Sequence, residues 1–280
     1  MSEEGIELAQ QFTMLTVDEI AAAVPDSALL GVPADYSGVP MAFTRALIRR
    51  GVRDLRLFCL PYSTIQADML IGVGAVASVE AAAVTLGEFG QAPRFCRAVE
   101  AGTIQMRDST CPALHAQLQA AEKAVPFMPQ RGLIGSDILA HRADWRVIDT
   151  PFGNTPDPVV LVPATHLDIA VFHAPRADRD GNLWIGRRRE LATLAHAARQ
   201  VFVTVEEVVD ASFFDDEETA AGALAAFYID GIAVAPRGAW PCGLGTIYEP
   251  DGAALSDYAK AACTQDGFAE WLADHLAVFA

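Results

Sequence analysis

The stretch from His166 to Asp210, HLDIAVFHAPRADRDGNLWIGRRRELATLAHAARQVFVTVEEVVD, leaves this chain few architectures to choose from. It opens with an apolar run, Leu167 to His173, that reads as a buried strand ending in a polar turn with Pro175, Asp178, Asp180, Gly181 and Asn182. A helical stretch follows, and then a second apolar run, Val201 to Val205. Strand, loop, helix and strand in that order predict a crossover in a parallel sheet, and ligands of such sheets sit in the loops at the carboxyl ends of the strands.

Composition narrows the class further. The chain has 280 residues, 52% hydrophobic and 20% charged, enough apolar material for one large core over residues 1–280 and no signature of disorder. No apolar run is long enough to span a bilayer, and MSEEGIELAQQF lacks the basic and apolar regions of a signal peptide, so a cytoplasmic location without membrane contact is expected. A formal charge of −16 repels polyanions and argues against nucleic acid as a partner. Cys59, Cys96, Cys111, Cys242 and Cys263 are widely spaced, with no C-x-x-C and no paired histidines. That spacing fits free thiols better than a metal site or a disulfide framework.

Along the chain, TVDEIAAAV predicts a short helix with Thr16 as N-cap and Glu19 completing a capping box. A strand over Leu29 to Val32, a helix over MAFTRALIRRGV and a strand over Asp54 to Leu60 follow. Ala82 to Leu86 reads as a further strand, Ala113 to Ala124 as a helix, and Val159 to Val162 as a strand after a Pro- and Gly-rich loop from Thr150. Four acids in FFDDEETAAG precede a predicted helix start, Ile229 to Val234 gives the last strand, and YAKAACTQDGFAEWLADHL reads as one closing amphipathic helix. No G-x-S-x-G is present, which removes the usual serine-hydrolase reading.

Several of these segments are more particular than the pattern requires. HAPRADRDGN followed by VTVEEVV, the D-M-L-I-G-x-G-x-V run at Asp68 to Val76, VEAG at Glu100, VPFMPQ leading to Gly135 and Ser136, VIDTPF, and APRGAWP closely resemble the α-subunits of family I coenzyme A transferases of the glutaconate type. The resemblance covers nearly the whole chain and implies an α/β fold, a mostly parallel open sheet with helices on both faces. It also implies a two-subunit enzyme, αβ or α2β2, that moves coenzyme A between an acyl-CoA and a carboxylic acid. In that family the glutamate nucleophile belongs to the β-subunit, so this chain is expected to hold no catalytic residue of its own and to be inactive alone. No permanently bound cofactor and no metal are implied; coenzyme A enters as a thioester substrate.

The same resemblance implies substrate contacts from Ser63, Gln66, Gly87, Glu88 and Asp108, and coenzyme A contacts from Gly72, Gly74, Asp178 and Asn182. Each has a plainer alternative. Gly72 and Gly74 fit tight packing, Glu88 a solvated carboxylate at a helix start, and Asp178, Gly181 and Asn182 a turn closed by its own side chains. Glu100 reads as a helix end. Arg187, Arg188 and Arg189 form a dense basic cluster that suits coenzyme A phosphates, an acidic partner face or a solvated helix surface. Leu30-Gly31-Val32 stands where the family has a G-G-F type turn, Gly87-Glu88 where it has a serine, and Trp240 where it has a histidine. Those replacements, with Glu88 repelling a second carboxylate, lead us to expect a substrate other than glutaconate. Two other functions fit the same fold: hydrolysis of a ring-derived CoA thioester, or a non-catalytic ligand-binding or structural role.

Overall fold

The structure, a computed structural model, describes residues 12–277; most of the N-terminal stretch read for a targeting signal lies outside them. Among the described residues seven strands run parallel: β1 (Leu29–Pro33), β2 (Leu55–Leu60), β3 (Val76–Ala81), β4 (Gln105–Asp108), β5 (Leu167–Asp178), β6 (Ala198–Val209) and β7 (Gly231–Val234). Their order across the sheet is β4-β3-β2-β1-β5-β6-β7. The chain starts in the middle, winds out to one edge, then returns to build the other half. The winding direction therefore reverses between β1 and β5, as the mostly parallel open sheet read from the sequence allows.

Both faces of this sheet are covered, which is why its strands read as apolar runs. Leu55, Leu57 and Cys59 of β2 enter one core while Phe58 and Leu60 enter the other; Ile169 and Val171 of β5 divide from Ala170 and Phe172 in the same way. The first core is closed by helices that include Val17–Ala23, Met41–Arg50, Ile65–Gly72, Gly252–Ala261 and Gln265–His275, through Ile20, Phe43, Leu70, Tyr258 and Trp271. Cys111–Glu122 and Arg189–His196 close the second through Leu114, Leu118, Leu191 and Leu194. The capping box forms as expected: the Thr16 hydroxyl accepts the Glu19 N–H at 3.1 Å, and the Glu19 carboxylate accepts the Thr16 N–H at 2.7 Å.

Three elements differ from the sequence expectation. The strand beside β2 is Val76–Ala81, not Ala82–Leu86; its polar Glu80 hides the apolar pattern, and Ala83–Val84 only pairs with Tyr62–Ser63 in a two-stranded ribbon. β5 continues through Pro175 to Asp178, because β1 has already ended there and Leu183–Trp184 pairs antiparallel with Arg176 and Ala177. The closing helix is two helices, since the Thr264 hydroxyl accepts the Gly267 N–H at 3.1 Å and starts a second one.

A small antiparallel sheet, Phe127–Gln130, Pro158–Pro163 and Arg146–Asp149, sits beside the β3/β4 edge. The buried Arg142 ties it there, reaching Glu80 at 2.8 Å and Asp144 at 2.9 Å and lying 4.0 Å over the Trp145 ring.

Two further buried carboxylates cross-link the surroundings of the main sheet, Asp178 at the turn after β5 and Asp68 among three helices. Asp178 accepts the N–H groups of Asp180 (2.9 Å), Asn182 (2.8 Å) and Phe213 (2.9 Å), together with the Asn182 side-chain amide (2.9 Å). Asp68 accepts the Phe95 N–H and the Tyr258 hydroxyl, each at 2.7 Å. Burial pushes the Asp68 carboxyl up to about 6, against the downward pull of those bonds.

Two outcomes are expected. Asp178→Ala strands two buried backbone donors, those of Asn182 and Phe213, and the part-buried one of Asp180, and is expected to lower the unfolding free energy by about 3 kcal/mol, read from the urea midpoint at unchanged slope. The folded state holds the Asp68 proton more tightly than the unfolded chain, so the penalty of burying that charge is absent at acid pH and grows as pH rises through about 6. Relative to Asp68→Asn, the wild type is therefore expected to gain about 1 kcal/mol of stability between about pH 7.5 and about pH 5.

Candidate functional site

The loops that leave the carboxyl ends of the parallel strands surround one half-open cleft of about 400 Å³. β1 delivers Asp35 and Tyr36, the segment after β2 delivers Thr64, the segment after β3 delivers Leu86 to Phe89, and the stretch after β7 delivers Cys242 to Pro250. Arg188 arrives from the loop beyond β5. The cleft thus lies where the winding reverses, the place that the topology favours for a ligand.

The turn after β1 is set by Gly38. A Cβ there would lie 1.9 Å from the His173 carbonyl oxygen, and the residue's φ of +76° is one that glycine adopts without strain. The His173 N–H donates to the Gly38 carbonyl at 2.7 Å, which pins this turn to β5 across the reversal.

The opposite wall hangs on Glu206. His173 is fully buried, with Nδ1 2.7 Å from the Thr204 hydroxyl and Nε2 2.8 Å from Glu206 Oε1. The same carboxylate accepts the Tyr248 hydroxyl at 2.8 Å and, through Oε2, the Arg237 N–H at 2.7 Å. Burial alone raises the Glu206 carboxyl, but the bonds from His173, Arg237 and Tyr248 outweigh it and hold the group below its ordinary value. The loop that carries Tyr248 is therefore fastened to the end of the sheet through β6.

Chemically, the cleft combines an apolar body with polar groups at its margin. Leu86, Phe89, Pro250 and Leu255 give the first; Asp35, Glu88, Glu249 and Arg188 give the second. Asp35 accepts the Tyr62 hydroxyl at 2.7 Å. The Thr64 hydroxyl is buried beside the Cys242 thiol without a well-oriented hydrogen-bond partner. Burial pushes the Cys242 thiol up to about 12, so it stays protonated at neutral pH and is no nucleophile. Among the described residues no group of three or more His, Cys, Asp and Glu side chains is arranged to hold a metal ion.

The expected site residues divide clearly in their placement. Gly87 and Glu88 line the cleft. Ser63 and Gln66 sit behind it, both buried, the Gln66 amide donating to the Thr44 hydroxyl at 3.1 Å. From that loop it is Thr64 that reaches the cavity. Asp108 lies at the end of β4 in a separate depression, where its carbonyl accepts from Arg142 at 3.0 Å.

Gly72 ends the helix that begins beside Thr64 and Gly74 lies in the turn that leads to the amino end of β3, so both sit at the opposite end of the sheet from the cleft. A Cβ on Gly72 would meet the Phe268 ring at 2.5 Å, so close packing explains it. The side-chain oxygens of Asp178 and Asn182 are engaged by their own turn and by segments packed on it, Asp178 accepting the Phe213 N–H and Asn182 Oδ1 the Ala226 N–H, each at 2.9 Å; neither residue lines the cleft. Leu30-Gly31-Val32 lies inside β1 and forms no turn, and Trp240 does not line the cleft but stacks on His275 with its indole N–H on Asp251 at 2.9 Å. Glu100 ends a helix, Pro93–Glu100. Arg187 and Arg189 are exposed outside the cleft, while Arg188 lines it.

Asp35, Tyr36, Cys242, Tyr248 and Glu249 escaped the sequence reading. A partial signal existed for the latch that holds Tyr248, since HAPRAD and VTVEEVV are the strands carrying His173 and Glu206, and these strands are in direct register.

Comparison with known proteins decides the family: the model described as coenzyme A transferase matches residues 13–234, a span that contains all seven parallel strands. The chain belongs to the coenzyme A transferase family. The Cys242 to Pro250 wall of the cleft lies beyond the span that the coenzyme A transferase model matches.

An uncharacterized protein of Archaeoglobus fulgidus is 30% identical over 83% of the chain, which spans 52% of that relative's length. The A-type chain of glutaconate CoA-transferase from Acidaminococcus fermentans is 28% identical, covering 84% of this chain and 79% of its own. A cholesterol ring-cleaving hydrolase IpdA subunit of Rhodococcus jostii is 29% identical over 85% of this chain and 82% of its own.

Among solved structures, that of the Acidaminococcus fermentans enzyme superposes with a TM-score of 0.85 at 25% identity, covering 94% of this chain and 88% of the other. The decarboxylase AibA/AibB superposes at 0.81 with 31% identity, covering 94% and 97%.

The latch can be tested on its own. Glu206→Gln keeps the shape and removes the charge, and is expected to cost about 1–3 kcal/mol of stability at neutral pH. Because the folded-state value is depressed, that contribution is present above the ordinary value of 4.5 and lost as pH falls through the folded value. Chemical denaturation of both proteins across that range is expected to show the deficit shrinking on acidification.

Proposed function

We propose that this chain is the α-type half of a cytoplasmic enzyme that moves coenzyme A between an acyl thioester and a free carboxylic acid, with a homologous companion chain supplying a glutamate nucleophile. Membership of the coenzyme A transferase family, together with a half-open cleft at the sheet reversal, carries this reading. Relatives that are each named as one part of a multi-chain CoA-transferase support the need for a companion.

In the proposed reaction the companion's carboxylate attacks the thioester carbonyl, the carbon–sulfur bond breaks, and the CoA thiolate leaves an acyl-glutamyl anhydride. The thiolate then attacks the glutamyl carbonyl, releasing the donor acid and leaving glutamyl-CoA. The acceptor carboxylate reverses both steps. Dividing the exchange in this way replaces direct attack by a weakly nucleophilic acid with easier stages.

The present chain positions the acyl group. Leu86, Phe89 and Leu255 exclude water from its body, the Thr64 hydroxyl has hydrogen-bonding capacity to spare, and Gly87-Glu88 borders the entrance. Each tetrahedral stage places charge on an oxygen, which donors fixed in a water-poor cleft stabilise.

A second reading, hydrolysis in place of transfer, is favoured by the Rhodococcus jostii relative, which is named as a ring-cleaving hydrolase subunit and whose identity to this chain equals that of the transferase relatives within a few per cent. One assay separates the two. The purified chain is expected to release no coenzyme A from acyl-CoA, whereas the chain mixed with its companion transfers it only when an acceptor acid is present. Release by the pair without an acceptor favours hydrolysis, and full turnover by the isolated chain contradicts the shared-site scheme.

A further inference from the structure

The charged lining of the cleft is uneven. Asp35, Glu88 and Glu249 put three carboxylates on its margin, against the single guanidinium of Arg188. Asp35 is engaged by the Tyr62 hydroxyl, a bond between oxygens that leaves the carboxylate in place. The Glu88 and Glu249 side chains are exposed and make no hydrogen bond or ion pair among the described residues.

Arg188 is the opposite case. It is half-buried, its guanidinium lies 4.8 Å from the centre of the Tyr36 ring, and it makes no ion pair among the described residues. A guanidinium held by an aromatic face keeps its N–H edges available for a planar anion. The neighbouring Arg189 is instead directed to a backbone carbonyl, that of Ala221, at 3.4 Å.

We propose that the cleft accepts monocarboxylic acids and their CoA thioesters and rejects dicarboxylic ones, with Arg188 neutralising the single carboxylate of the free acid and Glu88 and Glu249 repelling a second. The inference rests on the CoA-transfer reading and names its substrate class.

Free acid and acceptor each carry one reacting carboxylate, and one cation in the cleft is enough for one. A second carboxylate on the acyl chain has no cation left and meets like charge on the margin, in a cavity whose low-dielectric walls strengthen the repulsion. The apolar body formed by Leu86, Phe89 and Leu255 suits a hydrocarbon chain in the same place. Selectivity of this kind comes from a repulsive element as much as from an attractive one.

The test uses the complete complex with its companion and two thioesters that differ in a terminal carboxylate against a methyl group, glutaryl-CoA and valeryl-CoA. Valeryl-CoA is expected to have the higher kcat/KM by about tenfold or more. The double variant Glu88→Gln, Glu249→Gln is expected to close most of that gap, changing kcat/KM for glutaryl-CoA upward by a much larger factor than it changes the value for valeryl-CoA. Arg188→Gln is expected to raise KM for the acceptor valerate more than KM for valeryl-CoA.

Equal or better use of glutaryl-CoA by the wild type overturns the proposal, as does a ratio that the double variant does not move. If neither thioester supports transfer, the transferase reading fails separately. Calorimetric binding of the two thioesters to the same complex then decides the inference: tighter binding of valeryl-CoA upholds it, and equal binding or none overturns it.

Discussion

The carboxylate of Glu206 is the point on which the site depends. It accepts from a buried histidine on the neighbouring strand, from the Arg237 backbone and from the Tyr248 hydroxyl. Three donors from three segments converge on one side chain, so the sheet, the turn after β7 and a wall of the cleft are held in one arrangement. Charge-assisted bonds of this kind are stronger than neutral ones and specify geometry, and the burial that accompanies them makes a missing partner costly.

On the other side of the sheet reversal, Gly38 does comparable work by absence of a side chain. Its carbonyl meets the His173 N–H, and the His173 ring leads on to Glu206. A continuous path of backbone and side-chain contacts therefore joins the turn after β1 to the loop after β7. The cleft between them inherits the rigidity of the parallel sheet, while its margin carries the exposed groups Glu88 and Glu249. A firm floor with an exposed charged rim fits relatives whose names include transferase and hydrolase activities on one scaffold.

Much of this fold was legible in the sequence because local rules act there without competition. The capping box at Thr16 and Glu19, the apolar runs of β1, β2, β5 and β6, and the helix ending at Gly51 each depend on neighbours in the chain. Where tertiary contacts decide, local patterns mislead. β3 carries Glu80, which the distant Arg107 and Arg142 neutralise, and β5 passes through Pro175 because its partner strand has already stopped.

The site was less legible for the same reason. Glu88 was singled out through the resemblance and does border the cleft, but Asp35, Tyr248 and Glu249 come together only when the stretches after β1 and β7 are placed across the reversal. Asp178 and Asn182 stood out as polar residues in a turn, and that polarity is taken up by the turn and by the Phe213 and Ala226 backbone packed against it.

The most direct measurement is a crystal structure of the complete complex with a bound acyl-CoA. The account predicts the thioester carbonyl in the cleft bounded by Thr64, Gly87 and Tyr248, with the companion's glutamate facing it across the interface. A thioester seated elsewhere, for instance beside Gly72 and Gly74 at the amino end of the sheet, would contradict it.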